Sequence, residues 1–324
     1  MKRWTLSVVM VGMLLAASSA EAQVLNPAMA GSVKAKKIYR GSLVIYENIF
    51  NARALDRGAQ TSYNPYYAQS LTLMPQIWLR DDMFVRARMT AEVELTLSDL
   101  TDTKREPTIS DLFLDYMWLG AYRIPFLKIA ISPLMRLRFP TSKISQGMSM
   151  MFALSPGVML SRGFKLHSGK FFSRLTLIYA FRFSARFHEY QTAQVDERTC
   201  SALGNAAGTR PECIHSGMPN SKFRFTNSFV ARFIAHPKVY LTFSVAMLND
   251  LRYGFEAQNG QPESPSGHVG FISSAIDITV PVQRWLFFSV GMNSFHNQLE
   301  NDSTRQIPLF NRFVNFYFDV SVPI

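Results

Sequence analysis

The sequence has little of what identifies a helical membrane protein or a metalloenzyme. After residue 22, no segment offers about 18 uninterrupted apolar residues, so transmembrane helices are not expected. Only two cysteines and six histidines are present. No stretch resembles a phosphate-binding glycine loop, a zinc-ligand cluster or a nucleotide-binding fold. We therefore expect no cofactor and no metal.

The N-terminus, residues 1–22, is typical of a secretory signal peptide. Two basic residues precede an apolar stretch over 6–17, and residues 20–22 have the small-x-small pattern of a cleavage site. The apolar stretch is too short for a membrane span, which needs about 20 residues, so an uncleaved anchor is the weaker alternative. Residues 23–38 would then form a periplasmic N-terminal tail or a small plug.

Export gives a role to the two cysteines. Cys200 and Cys213 lie in the longest predicted loop, 188–221, with 12 residues between them. In an exported protein such a pair predicts a disulfide. A metal site would need further ligands at suitable spacing, and only His215 is close.

The charge balance is basic, with a formal net charge of +11. A basic balance can indicate nucleic-acid binding. An exported chain rarely meets nucleic acid, and these charges lie within predicted strands instead of in a basic helix or tail. We therefore expect no nucleic-acid partner.

Alternation of polar and apolar residues is the strongest pattern in the chain. From Met83 to Ser98 the odd positions are apolar from Val85 onward. The even positions are polar or charged: Arg86, Arg88, Thr90, Glu92, Glu94, Thr96 and Ser98. A strand directs successive side chains to opposite faces, so one face is apolar and the other polar. Lipid outside and water inside a membrane barrel require this pattern.

The same phase analysis predicts twelve strands. They cover residues 40–52, 66–79, 84–98, 109–120, 126–138, 150–161, 170–187, 222–234, 239–253, 268–280, 285–294 and 308–322. Tilted strands of about 9–11 residues cross the hydrocarbon layer. We predict an all-β fold over 39–324, a transmembrane antiparallel up-and-down β-barrel of about twelve strands with both termini periplasmic.

The connections between these strands alternate in length. Those after even-numbered strands are short, and those after odd-numbered strands are longer, the longest being the external loop 188–221. Short periplasmic turns and long external loops are expected of such barrels. The alternative fold, a large soluble β-sandwich with its apolar faces turned inward, gives no reason for this sorting.

The last strand carries a further signal. Its apolar face is formed by Phe316, Phe318, Val320, Val322 and Ile324. This resembles the C-terminal strand of bacterial outer-membrane barrels, although the chain ends in Val-Pro-Ile instead of a terminal Phe or Trp. The chain over 39–324 resembles bacterial outer-membrane β-barrel (porin-like) proteins, with no specific subfamily. The resemblance implies the outer membrane as location, reached through the periplasm, with lipid and lipopolysaccharide as neighbours.

If the apolar faces contact lipid, the polar faces line the lumen. Basic residues concentrate on predicted strands five to eight, and acidic residues on strands three, four, ten and twelve, the last two contributing Asp277 and Asp319. A basic wall opposite an acidic one orients dipolar solutes and favours anions along the basic side. The pattern resembles small, arginine-lined porins that admit acidic sugars. The residues predicted to line a solute path are Arg86, Arg88, Glu92, Glu94, Asp111, Asp115, Lys128, Arg136, Arg138, Arg174, Arg182, Arg186, Lys222, Arg224 and Arg232.

Three functions compete for this architecture. The first is a channel or porin for small hydrophilic, anionic solutes. The second is a non-conducting structural or anchoring barrel, filled by its own Arg–carboxylate pairs, that presents external loops to an envelope protein. The third is an outer-membrane hydrolase with His296 near Ser294 and Asn297, but the histidines are scattered and no His-Ser phospholipase motif is present. We expect no enzyme, and the oligomeric state stays open.

Overall fold

A computed structural model describes residues 38–51, 66–96, 105–166, 173–193, 219–236, 239–254, 267–283, 285–298 and 314–324. The predicted tail at 23–38, apart from its last residue, and the cysteine pair with His215 lie outside these residues. Within the described part of the chain, no helix has the length and apolar character needed to cross a membrane.

The described residues contain fifteen strands and one short helix. The strands are β1 (Leu43–Asn51), β2 (Tyr67–Met74), β3 (Gln76–Trp78), β4 (Met83–Glu94), β5 (Pro107–Ile109), β6 (Leu112–Trp118), β7 (Tyr122–Ile124), β8 (Ile129–Phe139), β9 (Met150–Lys165), β10 (Arg174–His188), β11 (Ser221–His236), β12 (Val239–Arg252), β13 (His268–Gln283), β14 (Leu286–Asn297) and β15 (Val314–Pro323). The helix α1 is Lys143–Gly147.

The strands form one closed antiparallel barrel. From β8 to β15 each strand pairs with the next one along the chain, β6 pairs with β4 and β8, β2 pairs with β1 and β4, and β1 pairs with β15. The short strand β3 continues β2 beyond Pro75, while β5 and β7 extend β6 at its two ends. The ring therefore has twelve strand positions, which confirms the predicted number and fold class.

The interruption at Pro75 follows from its chemistry. Proline has no main-chain N–H and cannot donate to a β-ladder. Its carbonyl oxygen still accepts from the N–H of Ala87 at 3.0 Å. The strand position therefore breaks into β2 and β3 without leaving the sheet.

The outer face of the barrel is apolar. Large apolar side chains that are exposed there include Leu71, Leu73, Ile77, Met89, Met135, Phe229, Ile278, Val290, Phe316 and Phe318. The residues between them on the same strands point inward and include most of the buried charges. Because an apolar surface outside and charges inside suit lipid and not water, the soluble β-sandwich is excluded.

The connections between the strands distinguish the two ends of the barrel. The turns at 79–82 and 125–128 lie at one end, which we call the short-turn end. Residues 140–149 with helix α1, and residues 189–193 and 219–220, lie at the other end, the long-loop end. Most other connections include residues outside the described ranges, so the alternation of short and long connections stays a prediction.

Candidate functional site in the barrel lumen

Most residues predicted to line a solute path lie inside the barrel. Nine are buried: Arg86, Arg88, Glu94, Asp111, Asp115, Arg136, Arg186, Arg224 and Arg232. Three are partly buried: Glu92, Arg138 and Arg182. The remaining three, Lys128, Arg174 and Lys222, are exposed.

Each exposed residue has a local cause. Lys128 lies in a short turn with a φ of 53°, and Arg174 is the first residue of β10. Lys222 follows the same parity as Arg224, but the register between β11 and β12 shifts between Ser221 and Phe223. Parity therefore does not carry through to Lys222, and the structure does not place it with the buried arginines.

One charged row joins β4, β6 and β8. Arg86, Asp115 and Arg136 are direct cross-strand partners. The Nη2 atom of Arg86 lies 3.8 Å from Oδ2 of Asp115, and Arg136 donates from Nε and Nη2 to both oxygens at 2.5 and 3.1 Å. A two-point contact of this kind is among the stronger charge-assisted interactions and fixes both side chains in place.

An aromatic ring lies beside this row. The guanidinium carbons of Arg88, Arg136 and Arg138 lie 4.5, 5.0 and 5.7 Å from the ring centroid of Phe113. Cations over an aromatic face are attracted by its quadrupole. Phe113 was not among the residues predicted to line the lumen, although it shares the parity of Asp115 on β6 and so faces the lumen.

Asp111 connects the wall to helix α1. It forms an ion pair with Arg138, accepts from Oγ of Ser145 at 2.5 Å, and accepts from the N–H of Ser142 at 3.0 Å. The Oγ of Ser142 also accepts from the N–H of Ser145 at 3.2 Å, which caps the helix. Residues 140–149 are therefore held against the wall at the long-loop end.

A second charged cluster joins β10, β11 and β12. Arg224 donates to both oxygens of Asp250 at 2.5 and 2.7 Å, and Nη1 of Arg186 lies 3.6 Å from Oδ2 of the same carboxylate. Asp250 was not among the residues predicted to line the lumen, although it alternates correctly along β12. The wall predicted to be strongly basic thus carries paired charges over much of its length.

Arg232 differs from these arginines. It lies on the same face of β11 as Arg224, is 4% exposed, and its guanidinium carbon lies 4.5 Å from the ring centroid of Tyr240. Its Nε and Nη2 atoms have no hydrogen-bond partner. The residue directly opposite on β12 is Thr242, which brings no charge.

The glutamates of β4 face another part of the lumen. Glu92 accepts a hydrogen bond from the hydroxyl of Tyr66, and Glu94 accepts from Oγ1 of Thr96 at 2.9 Å. These contacts lie at the long-loop end of β4. The hydroxyl groups of Tyr66 and Thr96 therefore provide hydrogen bonds to the two carboxylates at this end.

An apolar layer lies inside the barrel towards the short-turn end. It consists of Phe84, Met117, Leu134, Met159, Ile178, Ala180 and Val230, each at most 8% exposed. Trp78 packs against this layer, and a second cluster of Leu43, Ile45 and Met74 lies on β1 and β2. The inner face is therefore not uniformly polar.

Close contact with the main chain helps to pack this layer. A Cβ atom on Gly157 would lie 2.9 Å from Cδ1 of Leu134 and 2.5 Å from the carbonyl oxygen of Phe181. Glycine therefore lets Leu134 lie directly against β9. The inward position of Leu134 could have been predicted from the sequence, because Leu134 lies on the same face of β8 as Arg136.

Comparison with known proteins places the fold. No protein-family model and no curated protein matches the chain. An outer membrane channel from Pseudomonas putida F1 gives a TM-score of 0.52 at 9% identity, covering 91% of this chain and 98% of the channel. The NanC porin gives 0.46 at 8% identity, covering 87% and 98%, and a KdgM porin 0.41 at 7%, covering 87% and 99%. The predicted resemblance to bacterial outer-membrane β-barrels is confirmed at the level of fold.

Proposed function

From this fold and its lumen, we propose that the chain is a channel of the bacterial outer membrane for small hydrophilic solutes. The observation that carries the proposal is the sorting of side chains in a closed barrel. The outer face is apolar, while rows of arginines and carboxylates occupy the inner face. Outer-membrane lipid would contact the apolar outer face, and water and solute would contact the charged inner face.

The proposal includes a preference for anionic solutes, which depends on a few residues. Arg86 and Arg136 share the carboxylate of Asp115, and Arg186 and Arg224 share that of Asp250, so each cluster keeps an excess of one positive charge. Arg232 keeps its charge without a salt bridge in the described residues. Anion preference is therefore assigned to this excess charge and to two further arginines of the inner face, Arg182 on β10 and Arg232 on β11.

The experiment that tests the channel is single-channel recording of the refolded protein in a planar bilayer under a KCl gradient. Stable current steps are expected, with a reversal potential displaced towards anions. Protein that gives a heat-modifiable, folded gel band but no current would overturn the channel.

The second candidate is a non-conducting structural barrel, and the apolar layer favours it. Apolar side chains across a lumen exclude water and block ions by dewetting. In that case external loops would present a surface to an envelope protein. A silent but folded barrel in the bilayer experiment is the result expected of this candidate.

We do not propose an enzyme. The best histidine for a hydrolase, His296, is 0% exposed. A general base has to reach solvent or substrate to exchange its proton. The absence of hydrolase activity stays a prediction, and an assay of the refolded barrel with a phospholipid substrate would test it.

A further inference from the structure

Two arginines on one strand have opposite surroundings. Arg224 and Arg232 both lie on the inner face of β11, and each has a direct partner on β12. The partner of Arg224 is Asp250, which binds it through two hydrogen bonds, whereas the partner of Arg232 is Thr242. The fold therefore compensates one buried guanidinium and leaves the other without a salt bridge among the described residues.

A buried guanidinium without a partner is costly. Burial removes the water that would solvate the charge, and the loss is recovered only by an opposite charge or by hydrogen bonds. Tyr240 offers its ring face at 4.5 Å but no acceptor for Nε or Nη2. Unsatisfied groups of this kind call for an explanation, and one explanation is a ligand that supplies the acceptors.

A carboxylate without a salt bridge lies in the same row. Asp277 is the direct partner of Thr242 on β13, so the row reads Arg232, Thr242, Asp277. Asp277 accepts from Oγ1 of Thr279 at 3.1 Å and forms no salt bridge within the described strands. With neighbouring strands about 4.8 Å apart, the two charged residues are roughly 10 Å apart at the main chain.

A second carboxylate strengthens the negative side of this row. On β15, Asp319 accepts from Oγ of Ser321 at 3.2 Å, and its cross-strand partner Ser289 pairs in turn with Thr279 on β13. A solute that is only anionic would meet Arg232 but also these two carboxylates. A solute with a positive end as well would be attracted by both sides.

We propose that Arg232, Thr242 and Asp277 form a binding station for small zwitterionic solutes that carry a carboxylate and an ammonium group. The carboxylate binds the Nε and Nη2 donors of Arg232, and the ammonium group binds Asp277. Thr242 lies between them as a neutral hydroxyl. The station rests on the proposed channel function and assigns it a solute class.

The test is solute entry into proteoliposomes, followed by swelling. Three small probes are compared: γ-aminobutyrate (zwitterion), γ-hydroxybutyrate (anion) and erythritol (neutral). In the wild type, γ-aminobutyrate is expected to enter fastest. Arg232→Gln and Asp277→Asn are each expected to slow its entry on the order of tenfold, the factor for one lost charge-assisted hydrogen bond, and to leave erythritol unchanged.

Two further variants keep the result interpretable. Ser228→Ala changes an inward polar residue of the same strand without changing charge, and is expected to leave all three rates unchanged. The double variant Arg232→Asp with Asp277→Arg exchanges the two charges and is expected to restore fast γ-aminobutyrate entry. A heat-modifiable gel band shows for each variant that the barrel is folded.

Each other outcome has a defined meaning. If all three solutes enter at similar rates in the wild type and in both single variants, the station is overturned and the channel stands. If Arg232→Gln slows both charged solutes equally while Asp277→Asn accelerates γ-hydroxybutyrate, the site selects anions and the zwitterion assignment is wrong. If no solute enters through folded wild-type barrels, the channel itself is overturned, and the station with it.

Discussion

The two ends of the lumen differ in how their charged side chains are paired. Towards the long loops, charges are paired: Asp115 lies between Arg86 and Arg136, and Asp250 binds Arg224. Towards the short turns, an apolar layer fills much of the wall, and Arg232 beyond it has no salt bridge in the described residues. Paired charges fix a wall in one arrangement, whereas an uncompensated charge leaves binding capacity for a solute. The comparison thus separates residues that stabilise the barrel from residues available for transport.

The largest effect is expected from breaking a pair at the long-loop end. Asp250→Asn would leave two buried guanidiniums, Arg224 and Arg186, without their carboxylate. Removal of one partner from a buried pair costs about 3–5 kcal/mol. The free energy of unfolding in detergent, followed by denaturant titration and gel mobility, measures this loss.

The matched control is Asp319→Asn, which removes a buried carboxylate that has a hydroxyl donor and no salt bridge in the described strands. We expect a clearly smaller loss of stability there. Equal losses for the two variants would show that the pairing does not set stability, and the comparison between the two ends would fail.

The next effect concerns the apolar layer. Leu134→Ala removes a buried side chain, and such truncations cost about 2–5 kcal/mol in close-packed cores. It also opens space inside the barrel, so single-channel conductance is expected to rise. Met135→Ala, on the outer face of the same strand and 36% exposed, is the control that leaves conductance unchanged. No difference in conductance between the two variants would mean that the layer does not limit flow.

A smaller effect is expected from releasing helix α1. Asp111→Asn removes the ion pair with Arg138 and weakens the acceptor for Ser145, and a lost charged hydrogen bond is worth about 1.5–3 kcal/mol. Limited proteolysis should then cut residues 140–149 faster than in the wild type. Asp81, which is exposed and lies 3.8 Å from Arg40, supplies the control Asp81→Asn, which should leave the cleavage rate unchanged. Unchanged cleavage in Asp111→Asn would show that other contacts hold the loop.

The smallest expected effect is on ion selectivity. Arg182→Gln combined with Arg232→Gln should move the reversal potential in a salt gradient away from anions, with little loss of stability. Arg162→Gln is a suitable control, because its guanidinium packs over Phe164 at 4.5 Å on the opposite face from Met159. A reversal potential that does not move in the double variant rejects these arginines as the source of selectivity.

The alternation of polar and apolar residues predicted the fold and the side of the barrel wall on which most side chains lie. It did not predict which residues those side chains contact. Alternation on β4 placed Arg86 and Arg88 inside, as the structure has them. The pairing of Arg224 with Asp250 depends on the register between β11 and β12, which no single strand encodes. Where the register shifts, as at Lys222, parity itself fails.

Other features were accessible from the sequence but were not used. Phe113 and Leu134 occupy inward positions of their strands. They were not predicted to line the lumen because the lumen was assumed to be polar. Helix α1 is different, since five residues show no helical period and its position depends on the distant Asp111. Local pattern therefore determines orientation, and long-range contacts determine the site.

The closing pair of strands has a consequence for assembly. β1 and β15 join the two ends of the described barrel, with Leu43 opposite Pro323. Contacts so distant in sequence form late and only after a large loss of chain entropy. A chain truncated before β15 would leave β1 and β14 with unpaired main-chain groups, which are templates for aggregation. The barrel can therefore close only after its last strand has been synthesised.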